Sequence, residues 1–527
     1  MQARPSFDHP AVNQRDQKEA QDRPSNEDSP TNDQQENDPT TKFNKRVWLI
    51  LGTLCTLSFM TSLEATVLAP SLEIIASTLH GTTAEILWVG SAYLLPVAVF
   101  QPLVGTVSKD LGRKKFLIAS IFLFTLGSLI CGTSRAIPQL LVGRVIQGIG
   151  GGGISALVYV IPADVLTLRQ RPIAIMLMQG GWALGAILGP VLGGVLAAPK
   201  IWRWVFYMNL PLCGVILPLV LKLMKLKGRT RSWGEEVAQL DYVGILMFLM
   251  STSALLLGIT WGGIQFSWSS WQTLFPVCGG IAGLLSAICW ERFAAKRPFL
   301  LISLFTRLST ASSFRLTNLA FCLAQMSCEL YYLAVYFEGV RGLSARMAGL
   351  ALIPITITVF FGNVVTGSII HRTGYFRWAL WAGWVVTVVS TGLLITFDMH
   401  TPIYACILVL LIIGIGHGIL VMCLNFSIQS LADTEHAGHA ISMCTFLRAS
   451  GMCCGIAVGS AVLQNELHIY LGSSSQSTSQ SALMDISALA RHPGLSVAFA
   501  GAFNKISEVM TGISASALLL VVFIHCK

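Results

Sequence analysis

The chain has 527 residues, of which 53% are hydrophobic and only 12% charged, with a formal net charge of +9 and a mean hydropathy of +0.65. That charged share is about half of what a soluble domain carries, so a soluble globular fold is excluded for want of polar surface. The apolar residues come in runs of about 20, enough to cross a hydrocarbon core of roughly 30 Å, which makes the expected class an all-α polytopic membrane protein.

Residues 1–41 are rich in Asp, Glu, Gln, Asn and Pro and have no apolar run. Such a segment cannot bury enough surface to offset its ordering entropy, and a disordered cytoplasmic tail is expected. It lacks the apolar centre of a cleavable signal peptide, so the first hydrophobic segment is expected to stay in the membrane. Fourteen candidate spans follow, at 47–69, 86–107, 115–133, 139–161, 173–197, 202–224, 241–262, 273–292, 316–338, 347–370, 378–397, 402–424, 438–463 and 506–524. A polar, Ser-rich outer loop, 464–505, precedes the last. With the N-terminus in the cytoplasm, 22 Lys and Arg fall in inner loops and seven in outer ones. The positive-inside rule therefore puts both termini in the cytoplasm, which requires an even number of spans.

The stretch GTVSKDLGRKK (105–115) follows span 2, and a looser copy, GSIIHRTGYFR (367–377), follows span 10. Gly105 aligns with Gly367, Val107 with Ile369 and Gly112 with Gly374. Two parallel six-helix halves separated by an inserted pair of spans produce this recurrence. The division is then a 1–41 tail, a 42–224 N-terminal half, a 225–310 linker holding spans 7 and 8, and a 311–527 C-terminal half that includes loop 464–505. The basic residues of the turns snorkel to headgroups, and the glycines let helix ends approach.

Other chemistries find little support. The 13 cysteines are scattered and show no CxxC or Cys/His ligand spacing, so neither a metal nor a cofactor is expected. GIGGGG (148–153) fits G-x-G-x-x-G, but it lies within an apolar span with no strand before it, which argues against a dinucleotide site. No G-x-x-x-x-G-K-[ST] occurs, which disfavours an ATP-driven pump. The sequon NFS (425–427) falls on the inner side. No His/Asp/Glu constellation of catalytic spacing marks a span end, so an enzyme is not expected, and neither is a nucleic-acid partner.

Several motifs together resemble the major facilitator superfamily, and most of all the fungal fourteen-span drug:proton antiporters. GTVSKDLGRKK resembles the loop motif G-x-L-x-D-x-x-G-R-K through Gly105, Gly112, Arg113 and Lys114. Lys109 stands where the acid is usual, with Asp110 one place later. Either the turn re-winds to present Asp110, or that latch is weak. LLVGRVIQGIGGGG (140–153) resembles the span-4 motif through Arg144, Gln147 and Gly148. GAILGPVLGG (185–194) resembles the antiporter motif of span 5 through Gly185, Gly189, Pro190, Gly193 and Gly194. LEATVLAPSL (63–72), WRWVFYMNLP (202–211) and YYLAVYFEGVRGLSARMAGLALIP (331–354) resemble further family segments. The resemblance covers about 42–464. It implies two six-helix bundles plus two inserted spans, and proton-coupled export by alternating access. Read without it, Gly185, Gly189 and Gly193 simply fall on one helix face, where they permit close packing, and Pro190 kinks the span.

Ionisable residues inside spans are costly and are functional candidates. They are Glu64, Arg144, Glu329 and Arg448. Glu64 and Arg144 lie at matching depths, roughly 8 Å below the outer boundary, and are expected to pair. Glu329 and Arg448, both near mid-span, form a weaker candidate pair. His417 is a candidate proton group or substrate contact, though such a residue is more often hydrogen-bonded and inert. The few polar residues within spans include Asn318, Gln325, Asn363, Asn425 and Gln179. So little polarity suits an amphipathic organic cargo better than a sugar. The expected partners are therefore an amphipathic small molecule, protons and the lipid bilayer, with the protein acting as a monomer in the plasma or vacuolar membrane. Alternatives are a proton-coupled carrier of basic amino acids into the vacuole, a carrier of siderophores, and a non-transporting sensor on the same scaffold.

Overall fold

The computed structural model describes residues 44–68, 71–80, 83–168, 170–196, 198–199, 201–224, 241–262, 266–295, 310–343, 345–431, 437–471 and 493–521. The 1–41 tail, the basic linker 225–240 and positions 472–492 of the polar loop lie outside the described residues.

Among the described residues every element is helical. The N-terminal half holds α1 (Lys45–Val67), α2 (Leu72–Leu79), α3 (Thr83–Leu111), α4 (Arg113–Gly132), α5 (Ile137–Val165), α6 (Arg171–Leu196), α7 (Trp204–Tyr207) and α8 (Asn209–Leu223). The inserted pair is α9 (Tyr242–Trp261) and α10 (Trp271–Phe293). The C-terminal half holds α11 (Thr310–Val335) with a π turn (Tyr336–Val340), α12 (Ala345–Ala351), α13 (Ile353–Thr373), α14 (Arg377–Leu394), α15 (Ile403–Leu431), α16 (Ala437–Leu471) and α17 (Pro493–Val521).

Among the described residues, 12 helices are long and apolar enough to cross a membrane, so the expected count of fourteen is not met on that measure. The other two candidates, α11 and α17, have 26 and 29 residues but fall short in apolarity. On α11 the reason is internal: Asn318, Gln325 and Glu329 are all buried and face protein, the one place where the bilayer interior tolerates them. On α17 the reason is Asn504 together with Lys505 and Glu508, an exposed ion pair. The 464–505 loop is also shorter than expected, because α16 continues to Leu471 and α17 begins at Pro493.

The packing repeats. α1 lies on α6 as α11 lies on α16, α4 on α5 as α14 on α15, and α3 on α5 as α13 on α15. Between the halves the contacts are reciprocal, α3 with α16 and α13 with α6. The aligned glycines of the two turns both have positive φ, with different ψ (124° at Gly112, −8° at Gly374). Gly112 has φ 89° and Gly374 φ 74°, a left-handed region that disfavours any side chain. The inserted pair sits at the flank. α9 touches α3 and α16, whereas α10 leaves Leu274, Phe275, Leu285 and Phe293 exposed. An apolar outer face of this kind is what a helix bathed in lipid presents.

Candidate transport site

The site starts with how α1 is held. At near-regular intervals its hydroxyls donate to carbonyls of α6: Ser58 to Met178 (2.8 Å), Ser62 to Trp182 (2.6 Å) and Thr66 to Gly185 (3.4 Å). Just past α1, Ser71 donates to Gly193 (3.0 Å). Interhelical hydrogen bonds in membranes contribute about 0.6 kcal/mol each, so the ladder fixes register more than it adds stability. Close approach is possible because α6 presents glycine: a Cβ on Gly185 would lie 2.5 Å from the carbonyl oxygen of Phe59. The run 148–153 serves α5 in the same way, since Gly150 lies against the backbone of α4 and Gly148 and Gly152 against that of α3. Packing accounts for this glycine run without a nucleotide.

This frame brings Glu64 and Arg144 together. Their side chains form an ion pair, 0% and 1% exposed. Arg144 also donates through Nε to the Val89 carbonyl (3.1 Å) and through Nη1 to Gln147 Oε1 (2.9 Å), whose amide reaches Ser128 (2.8 Å). The guanidinium lies 4.6 Å from the Tyr93 ring centroid and 5.8 Å from that of Phe206. The second oxygen of Glu64 accepts from Asn209 Nδ2. Both carboxylate oxygens are thus satisfied, which makes the buried pair tenable. Asn209 was overlooked in the sequence; the signal available was an amide at the start of the helix that closes WRWVFYMNLP.

Glu329 and Arg448 are not brought together. Glu329, on α11, accepts through Oε1 from Gln325 (2.9 Å) and Thr391 (2.8 Å), and its Oε2 lies 3.7 Å from His417 Nε2. Arg448, on α16, turns the other way. It donates to the Tyr159 hydroxyl (3.4 Å) and lies 5.4 Å from that ring's centroid. Matching depth along two helices does not fix the direction in which each side chain points, and here the directions differ.

A central cavity of about 260 Å³ separates the halves. Trp182, Phe360, Met326 and Met452 line it, and its polar members include Gln101, Tyr159, Gln179, Asn363 and Arg448. Tyr159 donates to Gln179, so a chain Arg448–Tyr159–Gln179 links the two halves across the cavity. Among the described lining residues Arg448 is the one that carries a formal charge. Asn363 is 1% exposed, and neither of its amide atoms has a hydrogen-bond partner among the described residues. Glu64 is not part of the wall; Thr61, Ala65 and Tyr93 stand in front of it. Of the other polar span residues, Asn425 donates to the Val421 carbonyl (2.7 Å) within its own helix, and Asn318 is buried.

The end that carries the loop motif is sealed. Gly105 packs so tightly on α16 that a Cβ there would lie 2.9 Å from His439 Cα. Arg113 donates to Asp164 Oδ2 (2.9 Å), to the Gly105 carbonyl (3.1 Å) and to the Ser108 hydroxyl, with its guanidinium against Gly438 of the other half. α3 stays helical through Lys109 to Leu111; the side chain of Asp110 lies outside the described residues. The described acid bonded to Arg113 is Asp164 at the end of α5. Lys114 reaches the Leu221 carbonyl at 2.7 Å. Because the Gly105 contact is backbone on backbone, Gly105→Leu should hold this end open. Distances between spin labels placed on the two halves at that end should lengthen, and an unchanged distribution would refute the seal.

In the antiporter stretch, Gly185 and Gly189 face α1, Gly193 accepts from Ser71, Pro190 is exposed and Gly194 has open space around it. Comparison with known proteins agrees with this architecture. The profile described as Major Facilitator Superfamily matches residues 54–456. "MFS transporter L2" of Phoma sp. is 37% identical over 414 residues, covering 79% of this chain and 69% of that protein. "MFS efflux transporter aclA" of Aspergillus oryzae is 33% identical over 453 residues, covering 85% and 80%. In fold, the crystal structure of the human organic anion transporter MFSD10 (TETRAN) aligns with a TM-score of 0.58 at 17% identity, covering 91% of this chain and all of that one. With two pseudo-equivalent helical halves around a central cavity and a family profile over most of its length, the chain belongs to the Major Facilitator Superfamily.

Proposed function

We propose that the protein is a proton-coupled exporter of amphipathic organic compounds, working by alternating access between its two halves. The observation that carries this reading is the cavity: mostly apolar, bounded by both halves, with a minority of polar groups that include Gln101, Asn363 and the Arg448–Tyr159–Gln179 chain. Apolar walls with few polar anchors suit an amphipath. The efflux transporter of Aspergillus oryzae, at 33% identity, supports the direction, as does the resemblance of GAILGPVLGG. Arg448 favours uncharged or anionic cargo and disfavours a basic amino acid.

Coupling rests on Glu64. Protonation neutralises its carboxylate and loosens the hold on Arg144, which favours one orientation of the halves over the other; that difference is all coupling requires. The remaining parts of the reading are a monomer with both termini cytoplasmic, fourteen membrane-crossing helices divided at about 225 and 310, and residence in the plasma membrane. A host lacking its own efflux pumps, expressing the chain, should gain resistance to a panel of amphipathic compounds, and a proton uncoupler should abolish the gain. Resistance unaffected by the uncoupler would defeat the proton coupling, and no resistance to any compound would defeat export.

The cargo preference has its own test. Hydrogen bonds to a charged group contribute about 1.5–3 kcal/mol, so Arg448→Gln should weaken transport of anionic amphipaths by about ten-fold or more and that of uncharged ones far less. Equal loss for both would remove Arg448 from cargo recognition.

A further inference from the structure

The Glu64–Arg144 network has a counterpart in the second half. By the eight-span repeat, α11 corresponds to α1, α15 to α5, α14 to α4 and α17 to α8, and the packing follows the same correspondence. In the first half an acid on α1 meets a base on α5, tied to a hydroxyl of α4 (Ser128) and an amide of α8 (Asn209). In the second, an acid on α11 meets a base on α15, tied to a hydroxyl of α14 (Thr391) and one of α17 (Ser514, 2.6 Å from Gln325 Oε1). The difference lies in the base. Arg144 keeps its charge at any physiological pH, whereas histidine is the side chain whose charge changes there.

The hydrogen bonding leaves one proton unassigned. His417 Nδ1 faces the Ile413 carbonyl at 3.1 Å. A carbonyl can only accept, so Nδ1 carries the hydrogen and Nε2 of the neutral ring offers a lone pair. Nε2 points at Glu329 Oε2, 3.7 Å away, with both side chains essentially inaccessible. Neither atom has a hydrogen-bond partner among the described residues. Glu329 Oε1 is already served by Gln325 and Thr391. With a neutral ring and an ionised carboxylate, two lone pairs face each other in a buried site. One added proton, on either atom, resolves the conflict and takes the pair from a net charge of −1 to zero, the net charge of the Glu64–Arg144 ion pair.

The other groups near the carboxylate do not supply that proton's charge. Cys322 and Cys328, on its own helix, feel its charge; α14 and α17 contribute hydroxyls; and the Arg448 of α16 turns to Tyr159. Access is close, since Met326 lies three residues before Glu329 and Val421 four after His417, and both line the cavity.

We infer that Glu329 and His417 form a second proton-binding site, holding one exchangeable proton between them in the C-terminal half. The test counts protons on the purified full chain in nanodiscs, with a pH-indicator dye, across about pH 5 to 8, where histidine titrates. It needs no cargo, so its result is independent of the export assay. Glu329→Gln, His417→Arg and the double variant Glu329→Gln/His417→Asn should each take up one proton fewer than the unmodified protein. A shared proton makes the losses non-additive. Uptake equal to that of the unmodified protein in all variants would overturn the site, and a two-proton deficit in the double variant would overturn the sharing. If His417→Arg does not fold, the other two variants decide. Histidine-selective ¹⁵N spectra add a direct readout: the His417 Nε2 signal should change in Glu329→Gln, and an unchanged signal would count against contact between the two side chains.

Discussion

Glu64→Gln should abolish proton-driven efflux and leave cargo binding and folding nearly intact. The amide that replaces the carboxylate keeps its shape and can still accept from Arg144 through its carbonyl oxygen. Its new N–H groups would face the Asn209 amide, donor to donor. That conflict is relieved by a flip of Asn209, whose Oδ1 has no partner among the described residues and is free to accept. What the variant cannot do is change charge, so it remains in the state that a protonated Glu64 reaches only part of the time. Arg144→Leu should behave differently, because it strands an ionised carboxylate in a fully buried position. Removing one member of a buried pair costs about 3–5 kcal/mol. Low yield and a lowered unfolding temperature are expected there, with Glu64→Gln/Arg144→Leu recovering part of the loss because the charge has gone. Binding of a fluorescent amphipath by purified protein, set beside efflux from energised cells, separates the two effects. Efflux by Glu64→Gln at the unmodified protein's rate would make the pair a structural one.

Much of this network was legible in the sequence because helices convert residue count into depth. A rise of 1.5 Å per residue puts Glu64 and Arg144 level, and the structure joins them. The same reasoning joined Glu329 to Arg448 and failed, since depth says nothing about which way round the helix a side chain faces. Arg448 lies on α16, the counterpart of α6, and looks into the cavity as Gln179 does on α6. The repeat held the better clue. GTVSKDLGRKK and GSIIHRTGYFR set the offset at eight spans, and applied to an acid on span 1 and a base on span 4, that offset points to span 9 and span 12, where Glu329 and His417 stand. The span count differs for a related reason: hydropathy treats every residue as if it faced lipid, and α11 turns its polar residues inward. Asn363 and Asn209 stayed obscure because an amide reads alike whether it binds cargo, bonds to a carboxylate or caps a helix.

Gly185→Ala should damage the protein almost as much as Gly185→Leu, whereas Gly194→Leu should be nearly silent. The three substitutions fall in one motif, so they separate packing from sequence signature. At Gly185 the obstacle is met by the first carbon added, 2.5 Å from the Phe59 carbonyl oxygen and 2.8 Å from the Leu63 nitrogen. Both belong to the backbone of α1, and no choice of rotamer avoids them. Relief requires α1 and α6 to part by roughly an ångström, given contact distances of about 3.5 Å. That movement would lengthen the bonds from Ser58, Ser62 and Thr66 and pull Glu64, one residue beyond Leu63, away from Arg144 and Asn209. Overpacking of this kind costs about 1–3 kcal/mol, against the roughly 1 kcal/mol that replacing a helical glycine with alanine would otherwise gain. At Gly194 nothing lies within 4 Å of the added carbon, so the gain in helix propensity is unopposed. Thermal unfolding of purified variants and efflux in cells should therefore rank Gly194→Leu with the unmodified protein, and both Gly185 variants well below it. Should Gly194→Leu lose efflux while keeping its unfolding temperature, the motif would have a role in transport direction that packing against α1 does not explain.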